Sequence, residues 1–249
     1  LWQEERGAIE QEVVQDLSNP EYLLITHLLG KLYEGTPYEH DALGTVASFD
    51  KTTGAMLKRF YDDWYAPNNA ILVIAGNVDP DRTLATVKRL FGSIPRKKLP
   101  ERPAIALAPL KPSAFDLDSD LSYGLALVAY RLPGFKSSDY AAGQVLADVL
   151  ASRRANLYAL VPEGKALFAG FESNSLPEAG SGYAMAAFPQ GEDGHPLAAA
   201  IKKIIQDYVT NGVPKELAEA SKRHEIAQAE FQKNSIERSE EHTLNSSHT

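Results

Sequence analysis

The stretch from Ser93 to Ser113 divides this chain, because it carries five prolines and no repeating pattern of apolar residues. Proline lacks a backbone N–H and disfavours the α conformation in the residue before it, so neither a regular helix nor a central strand can run through such a stretch. The sequence therefore predicts two folded regions, residues 1–98 and residues 116–237, joined by a proline-rich linker at residues 99–115.

Apolar spacing predicts an α+β fold for both regions. In the first region we expect helices over residues 3–17, 21–32, 51–65 and 81–91, and a central strand, buried on both faces, over the continuous apolar run Ala70–Ala75. In the second region we expect a strand over 123–130, helices over 138–150 and 154–161, an antiparallel pair of strands over 166–173 and 182–188, and helices over 196–209 and 214–231. A strand followed by a helix in each region suggests two related layers of mostly antiparallel sheet covered by helices.

The last residues of the chain are set apart from this pattern. The run that begins at Arg238 looks like the translation of a common sequencing-adapter oligonucleotide. We therefore interpret residues 238–249 as a sequence artefact or, alternatively, as a disordered polar tail, and we assign no chemistry to His242 or His248.

Composition excludes several classes of function. The formal charge of −8 argues against nucleic-acid binding, since phosphate contacts need a clustered excess of Lys and Arg. The short basic clusters at residues 96–98 and 222–223 are typical of solvated surfaces. Because the chain has no cysteine, a disulfide framework and a thiolate zinc site are excluded, while the compartment stays open. No apolar run is long enough for a membrane span.

Two glutamates on the first predicted helix are the main candidates for chemistry. Glu5 and Glu12 are seven residues apart, which is almost two turns of an α-helix, so their side chains should project in the same direction. Spacing alone is equally typical of a solvated helix edge. It does not by itself predict a metal site.

Several segments, taken in order, resemble the pitrilysin/insulinase family of zinc peptidases, the HxxEH inverzincins. The resemblance extends over residues 1 to about 236. Its segments are Glu5-Arg6-Gly7 through Glu12 with Ser18-Asn19-Pro20 after it, Gly35-Thr36-Pro37-Tyr38, residues 60–77 with Tyr65-Ala66-Pro67-Asn68-Asn69, Arg131-Leu132-Pro133-Gly134, and Asn156-Leu157-Tyr158.

This resemblance implies a role for each glutamate. Glu12 would be the third zinc ligand, and Glu5 would lie behind it and orient the site electrostatically. The two histidine ligands and the catalytic glutamate of the family belong to an HxxEH helix that precedes this helix, and the 249 residues do not contain that motif. Neither HxxEH nor HExxH occurs, and the nearest miss is His224-Glu225-Ile226-Ala227-Gln228, where Gln228 stands at the place of a second histidine. We therefore expect Zn²⁺ in a full-length protein but not in these residues alone, since one carboxylate does not hold the ion against water.

The resemblance also implies partners. Family members close a chamber from two halves, and the half without zinc uses an Arg and a Tyr seven residues apart to bind the peptide backbone. Val161 and Phe168 occupy those places here and cannot make the same polar contacts. We therefore expect a peptide substrate, and a second half-chamber supplied by the same chain or by another subunit. We also expect these residues alone to expose sheet edges and to aggregate.

Two alternatives stay open from the sequence. The first is a non-catalytic scaffold or partner subunit of the same family, in which the metal site has been lost. The second is an α+β protein that binds a small ligand and is unrelated to peptidases.

Overall fold

The computed structural model describes residues 2–44 and 46–232. The residues that we interpret as an artefact or tail, 238–249, lie outside the described part. The helices are α1 (Trp2–Leu17), α2 (Pro20–Leu32), α3 (Val46–Lys51), α4 (Gly54–Trp64), α5 (Pro80–Phe91), α6 (Tyr140–Ala151), α7 (Asn156–Ala159), α8 (His195–Asn211) and α9 (Lys215–Gln232). The strands are β1 (Tyr123–Pro133), β2 (Phe168–Ser175) and β3 (Ala179–Pro189).

The described residues form two compact units. Of these residues, unit 1 contains 2–9, 44, 46–104 and 227–232, and unit 2 contains 10–43 and 105–226. Residues 92–122 contain neither helix nor strand, which confirms the effect expected of the five prolines. The boundary between the two predicted regions at residues 99–115 stays a prediction.

Unit 2 contains a three-stranded antiparallel sheet in the order β1-β3-β2. The central strand, β3, pairs with β2 through the short connection at residues 176–178, which confirms the predicted antiparallel pair. It pairs with β1 along eleven residues, from Tyr123 opposite Pro189 to Pro133 opposite Ala179. The class is therefore α+β, as the sequence predicts.

Both faces of this sheet are covered. Ala184 and Ala186 of β3 lie in a core with α6, α7 and α8, whose most buried members include Leu157 and Ile201. Tyr183, on the opposite face, lies in a second cluster with Leu28 and Leu32 of α2. The alternation along β3 follows the two-residue period of a strand, so one strand contributes to both cores.

In unit 1 the helix predicted over residues 51–65 is α4, which begins three residues later, at Gly54. The sequence did not predict the short helix α3 before it, to which Lys51 belongs. The Thr53 hydroxyl accepts a hydrogen bond from the Met56 amide at 3.2 Å and so caps α4. Threonine side chains compete for backbone groups in this way, which favours helix starts over helix interiors.

The turn that follows α4 is held by amide side chains. Asn69 donates to the Trp64 carbonyl at 2.8 Å. Asn68 donates to the Lys97 carbonyl at 3.1 Å and accepts from the Lys97 amide at 2.9 Å, as a neighbouring strand would. The Lys97 ammonium in turn donates to the Asp62 carbonyl at 2.8 Å. Part of the basic cluster at residues 96–98 thus fastens an extended segment to α4.

The largest departure from the sequence-based expectation is at Ala70–Ala75. We expected a central strand buried on both faces, and this was wrong. The segment is extended at Ala70, with φ −131° and ψ 144°, yet it belongs to no sheet among the described residues. Ile71, Leu72 and Ile74 are 46%, 58% and 45% exposed. A strand needs a hydrogen-bonded neighbour, and apolar composition does not supply one.

Candidate functional site

Helix α1 carries both candidate glutamates on an unbroken α-helix. It ends where the sequence predicts, because the Ser18 hydroxyl donates to the Gln15 carbonyl at 2.6 Å and Asn19 caps the next helix from the position before Pro20. Ser18-Asn19-Pro20 therefore forms the turn between α1 and α2, and these local hydrogen bonds explain it.

Glu5 and Glu12 are both exposed on this helix. Seven residues of α-helix rotate the side-chain direction by only about 20° but advance it by roughly 10 Å along the axis. One zinc ion, whose oxygen ligands lie about 2 Å away, cannot contact both carboxylates. If Glu12 binds the ion, Glu5 acts on it only through other groups. The described residues contain no group of three or more potential metal ligands.

Arg6, which lies between Glu5 and Glu12 in the sequence, contacts side chains of α3. Its guanidinium donates to the Asp50 carboxylate at 3.3 Å and lies 5.5 Å from the centre of the Phe49 ring. Trp2 packs against the same ring at 6.0 Å, edge to face. These contacts fasten the first turns of α1 to α3. Sequence reasoning did not find the role of Arg6, since nothing local indicates a partner 44 residues away.

The histidines of the described part do not gather at α1. Nδ1 of His27 lies 2.8 Å from the carbonyl oxygen of Leu23. Nδ1 of His40 lies 3.2 Å from the carbonyl oxygen of Asp41. His195 lies between two carboxylates of unit 2: its Nδ1 is 2.7 Å from Asp193, and its Nε2 is 3.7 Å from Asp116. Hydrogen bonding to Asp193 and the charge of Asp116 raise the pKa of His195.

The segment Arg131-Leu132-Pro133-Gly134 has a structural explanation in unit 2. The Arg131 guanidinium donates to the carbonyls of Leu32, at the end of α2, and of Ala108, the latter at 2.7 Å. It also lies 5.8 Å from the ring centre of Tyr33, which is 1% exposed. A Cβ on Gly134 would come within 2.4 Å of the Ala179 amide nitrogen, so only glycine fits there.

One further pair of carboxyl groups was not found from the sequence. Burial, followed by the neighbouring Asp148, raises the pKa of Glu225. Oδ2 of Asp148 is buried and has no hydrogen-bond partner among the described residues. The pair joins α6 to α9 within unit 2. His224, beside Glu225, is exposed, as the reading of the incomplete His224-Glu225 motif as a surface feature expects.

Comparison with known proteins shows the family. Residues 51–224, well over half of the chain, match the family described as the peptidase M16 inactive domain, so the chain belongs to the peptidase M16 family. This family is the pitrilysin/insulinase group that the sequence resembles. The matched range contains the Arg131 segment and the whole sheet. It does not contain α1 with Glu5 and Glu12.

Three similar proteins illustrate the match. An uncharacterized zinc protease of Bacillus subtilis, YmfH, is 32% identical over 99 residues, which are 40% of this chain and 23% of that protein. The crystal structure of a peptidase M16 inactive domain from Pseudomonas fluorescens is 20% identical and has a TM-score of 0.76, covering 89% of this chain and 54% of that one. A chain of complex III2 from Candida albicans is 17% identical with a TM-score of 0.76, covering 96% of this chain and 59% of that one.

These matches define the limits of the comparison. The match covers less than a quarter of the length of YmfH, and the structural neighbours share the fold at identities too low to carry a function. Among residues 2–44 and 46–232, no helix is both long enough and apolar enough to cross a membrane.

Proposed function

We propose that this chain is part of a zinc metallopeptidase in which Glu12 is the third protein ligand of the metal. The match of residues 51–224 to the peptidase M16 family supports the zinc peptidase. The role of Glu12 rests on the resemblance of residues 5–12 to the family's ligand-bearing helix. Relatives such as YmfH bear the name zinc protease, which supports zinc as the metal of the complete protein. Because Glu12 is exposed, its carboxylate is accessible to a metal ion whose other ligands lie outside this sequence.

In the proposed site, residues of this chain supply one carboxylate and its support. Glu12 binds the metal, and Arg6 holds the start of α1 against α3 through its contacts with Asp50 and Phe49. Glu5 lies too far along the helix axis to bind the same ion. It acts on the ion only through the electrostatic field of its negative charge. A zinc ion held there would supply an acidified water as the nucleophile for peptide hydrolysis.

The proposed partners are a peptide substrate and a second half-chamber. Val161 lies partly buried against the core of unit 2, and Phe168 is 51% exposed at the first residue of β2. Neither side chain donates a hydrogen bond to a peptide backbone. A polar clamp for the substrate would therefore come from another part of the complete protein or from another subunit.

A non-catalytic scaffold is the second candidate, and two observations favour it. The matching family description is that of an inactive domain, and a chain with this fold occurs in complex III2 of Candida albicans. A scaffold of this kind would use the sheet and helices of unit 2 for assembly and would leave Glu12 without a metal.

The decisive substitution is Glu12→Gln in the full-length protein. Because glutamine keeps the shape of the side chain but removes its charge, we expect the protein to fold with unchanged helicity while losing bound zinc and peptide hydrolysis. Metal analysis of the purified protein and cleavage of a fluorogenic peptide measure these two outcomes. Glu5→Gln should weaken zinc binding or activity by about 10- to 100-fold, as outer partners of metal sites do.

Glu10→Gln is the matched control, since Glu10 is also exposed on α1 but points away from the direction shared by Glu5 and Glu12. It should leave zinc content and hydrolysis unchanged. A Glu12→Gln protein that remains loaded with zinc and active would refute the assignment. A full-length protein that lacks an HxxEH motif and binds no zinc would establish the scaffold in its place.

A further inference from the structure

The connection between α8 and α9 begins with the dipeptide Asn211-Gly212, within unit 2. Asn211 is the last residue of α8, and Gly212, with φ 77°, follows it as the cap. Both residues are exposed. Glycine has no side chain, so nothing shields its amide nitrogen from the side-chain carbonyl carbon of the asparagine before it. This pair of groups can react with each other.

The peptide group that joins Asn211 to Gly212 is not held by hydrogen bonds. Among the described residues, its N–H has no acceptor and its carbonyl has no donor. At the end of α4, by contrast, the Tyr65 N–H still donates to the Tyr61 carbonyl at 3.0 Å. The Asn211 side chain is also without a hydrogen bond in this part of the chain. The backbone of Asn211 can therefore rotate toward ring closure without breaking a hydrogen bond of this peptide group.

The other asparagines of residues 2–44 and 46–232 lack this combination. After Asn77, the branched residue Val78 donates its N–H to the Gly76 carbonyl at 2.9 Å. Asn174 lies within β2 and pairs opposite Ser181 of the central strand. The rest are fixed by side-chain hydrogen bonds, by a following proline or by a helical backbone: Asn19, Asn68, Asn69 and Asn156.

We propose that Asn211 is a site of spontaneous modification, at which the folded chain converts its own asparagine into aspartate and isoaspartate. The Gly212 nitrogen loses its proton to hydroxide and forms a bond to the side-chain carbonyl carbon of Asn211, which closes a succinimide ring. The bond from that carbon to the side-chain nitrogen breaks, and the nitrogen takes up a proton and leaves as ammonia. Water then adds to one of the two ring carbonyls and opens the ring to a free carboxyl group. The net change exchanges an amide and a water for a carboxyl group and an ammonia, and it depends neither on zinc nor on Glu12.

The modification would act on the end of α8, because residues on both sides of the dipeptide are anchored. Tyr208, in the last turn, is 8% exposed, and its hydroxyl accepts from the Asn156 amide at 3.3 Å. Val213 packs against the same core of unit 2. The last turn of α8 contains no basic residue, so a new carboxylate there meets the negative end of the helix dipole unopposed. Isoaspartate also adds a carbon to the main chain between the two anchors.

Timed incubation of the folded 249-residue chain at mildly alkaline pH tests the proposal. Peptide mapping by mass spectrometry should show the Asn211 peptide gaining the mass difference between an amide and a carboxyl group, faster than the peptides of Asn77 and Asn174. The rate should rise in proportion to hydroxide, since the attacking nitrogen must lose its proton. Both aspartate and isoaspartate should appear, and in water enriched in heavy oxygen each event should incorporate one labelled atom.

Two variants separate the reaction from its consequence. Asn211→Gln keeps the amide and adds one methylene, so the ring would have six members and close more slowly. Its peptide should stay unmodified over the same time. Asn211→Asp carries the product charge without isoaspartate, and it should lose amide-exchange protection in the last turn of α8. The Asn211→Gln chain should keep that protection.

Three outcomes would overturn the proposal. Conversion at Asn77 or Asn174 before Asn211 would show that the free peptide group at the end of α8 does not decide the site. Conversion of Asn211 only in urea would show that the folded backbone does not allow the ring to close. Aspartate formed without any isoaspartate would exclude the succinimide, since ring opening at either carbonyl gives both products.

Discussion

Strand β3 and the segment Ala70–Ala75, here called the open strand, have similar apolar character and opposite environments. β3 pairs on both edges and has a helix layer on each face, so most of its residues are buried. The open strand has no hydrogen-bonded neighbour among the described residues, and five of its six residues are exposed. The difference shows that sheet formation is decided by the presence of partners, since backbone groups need acceptors that composition cannot provide.

The comparison also separates two ways of holding an extended segment. In unit 2, β3 is fixed by two ladders and by side chains such as Tyr183 that pack on α2. In unit 1, the segment that contains Lys97 is fixed by the Asn68 side chain, which imitates a neighbouring strand, and by the Lys97 ammonium, which donates to the Asp62 carbonyl. The first arrangement is cooperative over many residues, whereas the second depends on a few side chains.

The same substitution in both regions should give the largest contrast. Leu157 is 0% exposed in the core of unit 2, whereas Leu72 is 58% exposed in the open strand. Leu157→Ala should lower the free energy of unfolding by about 2–5 kcal/mol, because it removes transfer energy and leaves a cavity. Leu72→Ala should change it by no more than about 0.5 kcal/mol. Urea unfolding of both variants, at protein concentrations low enough to avoid association, measures the difference.

Equal losses of unfolding free energy in Leu157→Ala and Leu72→Ala would contradict this contrast between the two regions. Such a result would mean that the open strand is as well packed in solution as the core of unit 2. The unchanged chain at the same low concentration is the reference, because dilution removes any contribution from association.

Much of unit 2 could be predicted from the sequence, and the reason is local. The apolar run in β3, the short connection between β2 and β3, and the helix signals around α8 are all properties of neighbouring residues. Helix α3 was missed because its six residues are too few to show a helical period of apolar positions. The environment of Ala70–Ala75 was missed because it depends on what lies beside the segment.

The candidate site shows the same division. The spacing of Glu5 and Glu12 is readable from the sequence, since helix geometry follows from residue separation. The partners of Arg6 are not readable, because Asp50 and Phe49 reach it through the fold. The role of Glu12 stays a prediction, since its other ligands would come from residues that this sequence does not contain.

Arg131 attaches α2 to the sheet of unit 2 through its guanidinium. Among the described residues, no side chain makes a comparable hydrogen bond to Ala70–Ala75. Arg131→Ala should cost about 2–3 kcal/mol of unfolding free energy, since it removes charged hydrogen bonds to the carbonyls of Leu32 and Ala108. Arg131→Lys should recover only part of this, because an ammonium lacks the planar fork that reaches both carbonyls. Urea unfolding measures both, and amide exchange of α2 locates the loss.

Arg82→Ala is the control for Arg131, since the Arg82 side chain is 91% exposed on α5. It should leave stability nearly unchanged, as exposed ion pairs generally do. If Arg131→Lys were as stable as the unchanged chain, a single point charge would suffice, and the two carbonyl contacts would not explain the attachment of α2.

The smallest expected effect concerns His195, which links the start of α8 to the extended segment that contains Asp116. Its pKa is raised by Asp193 and Asp116, while contacts with His195 lower the pKa of Asp193. Stabilisation from a raised histidine pKa is fully present below the unfolded value of about 6.5 and is lost as pH rises through the folded pKa. Stabilisation from a lowered carboxyl pKa is present above about 3.9 and is lost as pH falls through the folded pKa.

Both contributions therefore coexist from about pH 4 to just above 6.5, and solvent screening keeps them small. NMR titration of His195 is the direct measurement. Asp193→Asn should return the histidine pKa to near its ordinary value, and Asp116→Asn should lower it by less, because its carboxylate is 3.7 Å away rather than 2.7 Å. Asp118→Asn is the control and should leave it unchanged. If Asp116→Asn had the larger effect, the charge of the extended segment would outweigh the local hydrogen bond, and that segment would be held to α8 more firmly than these distances indicate.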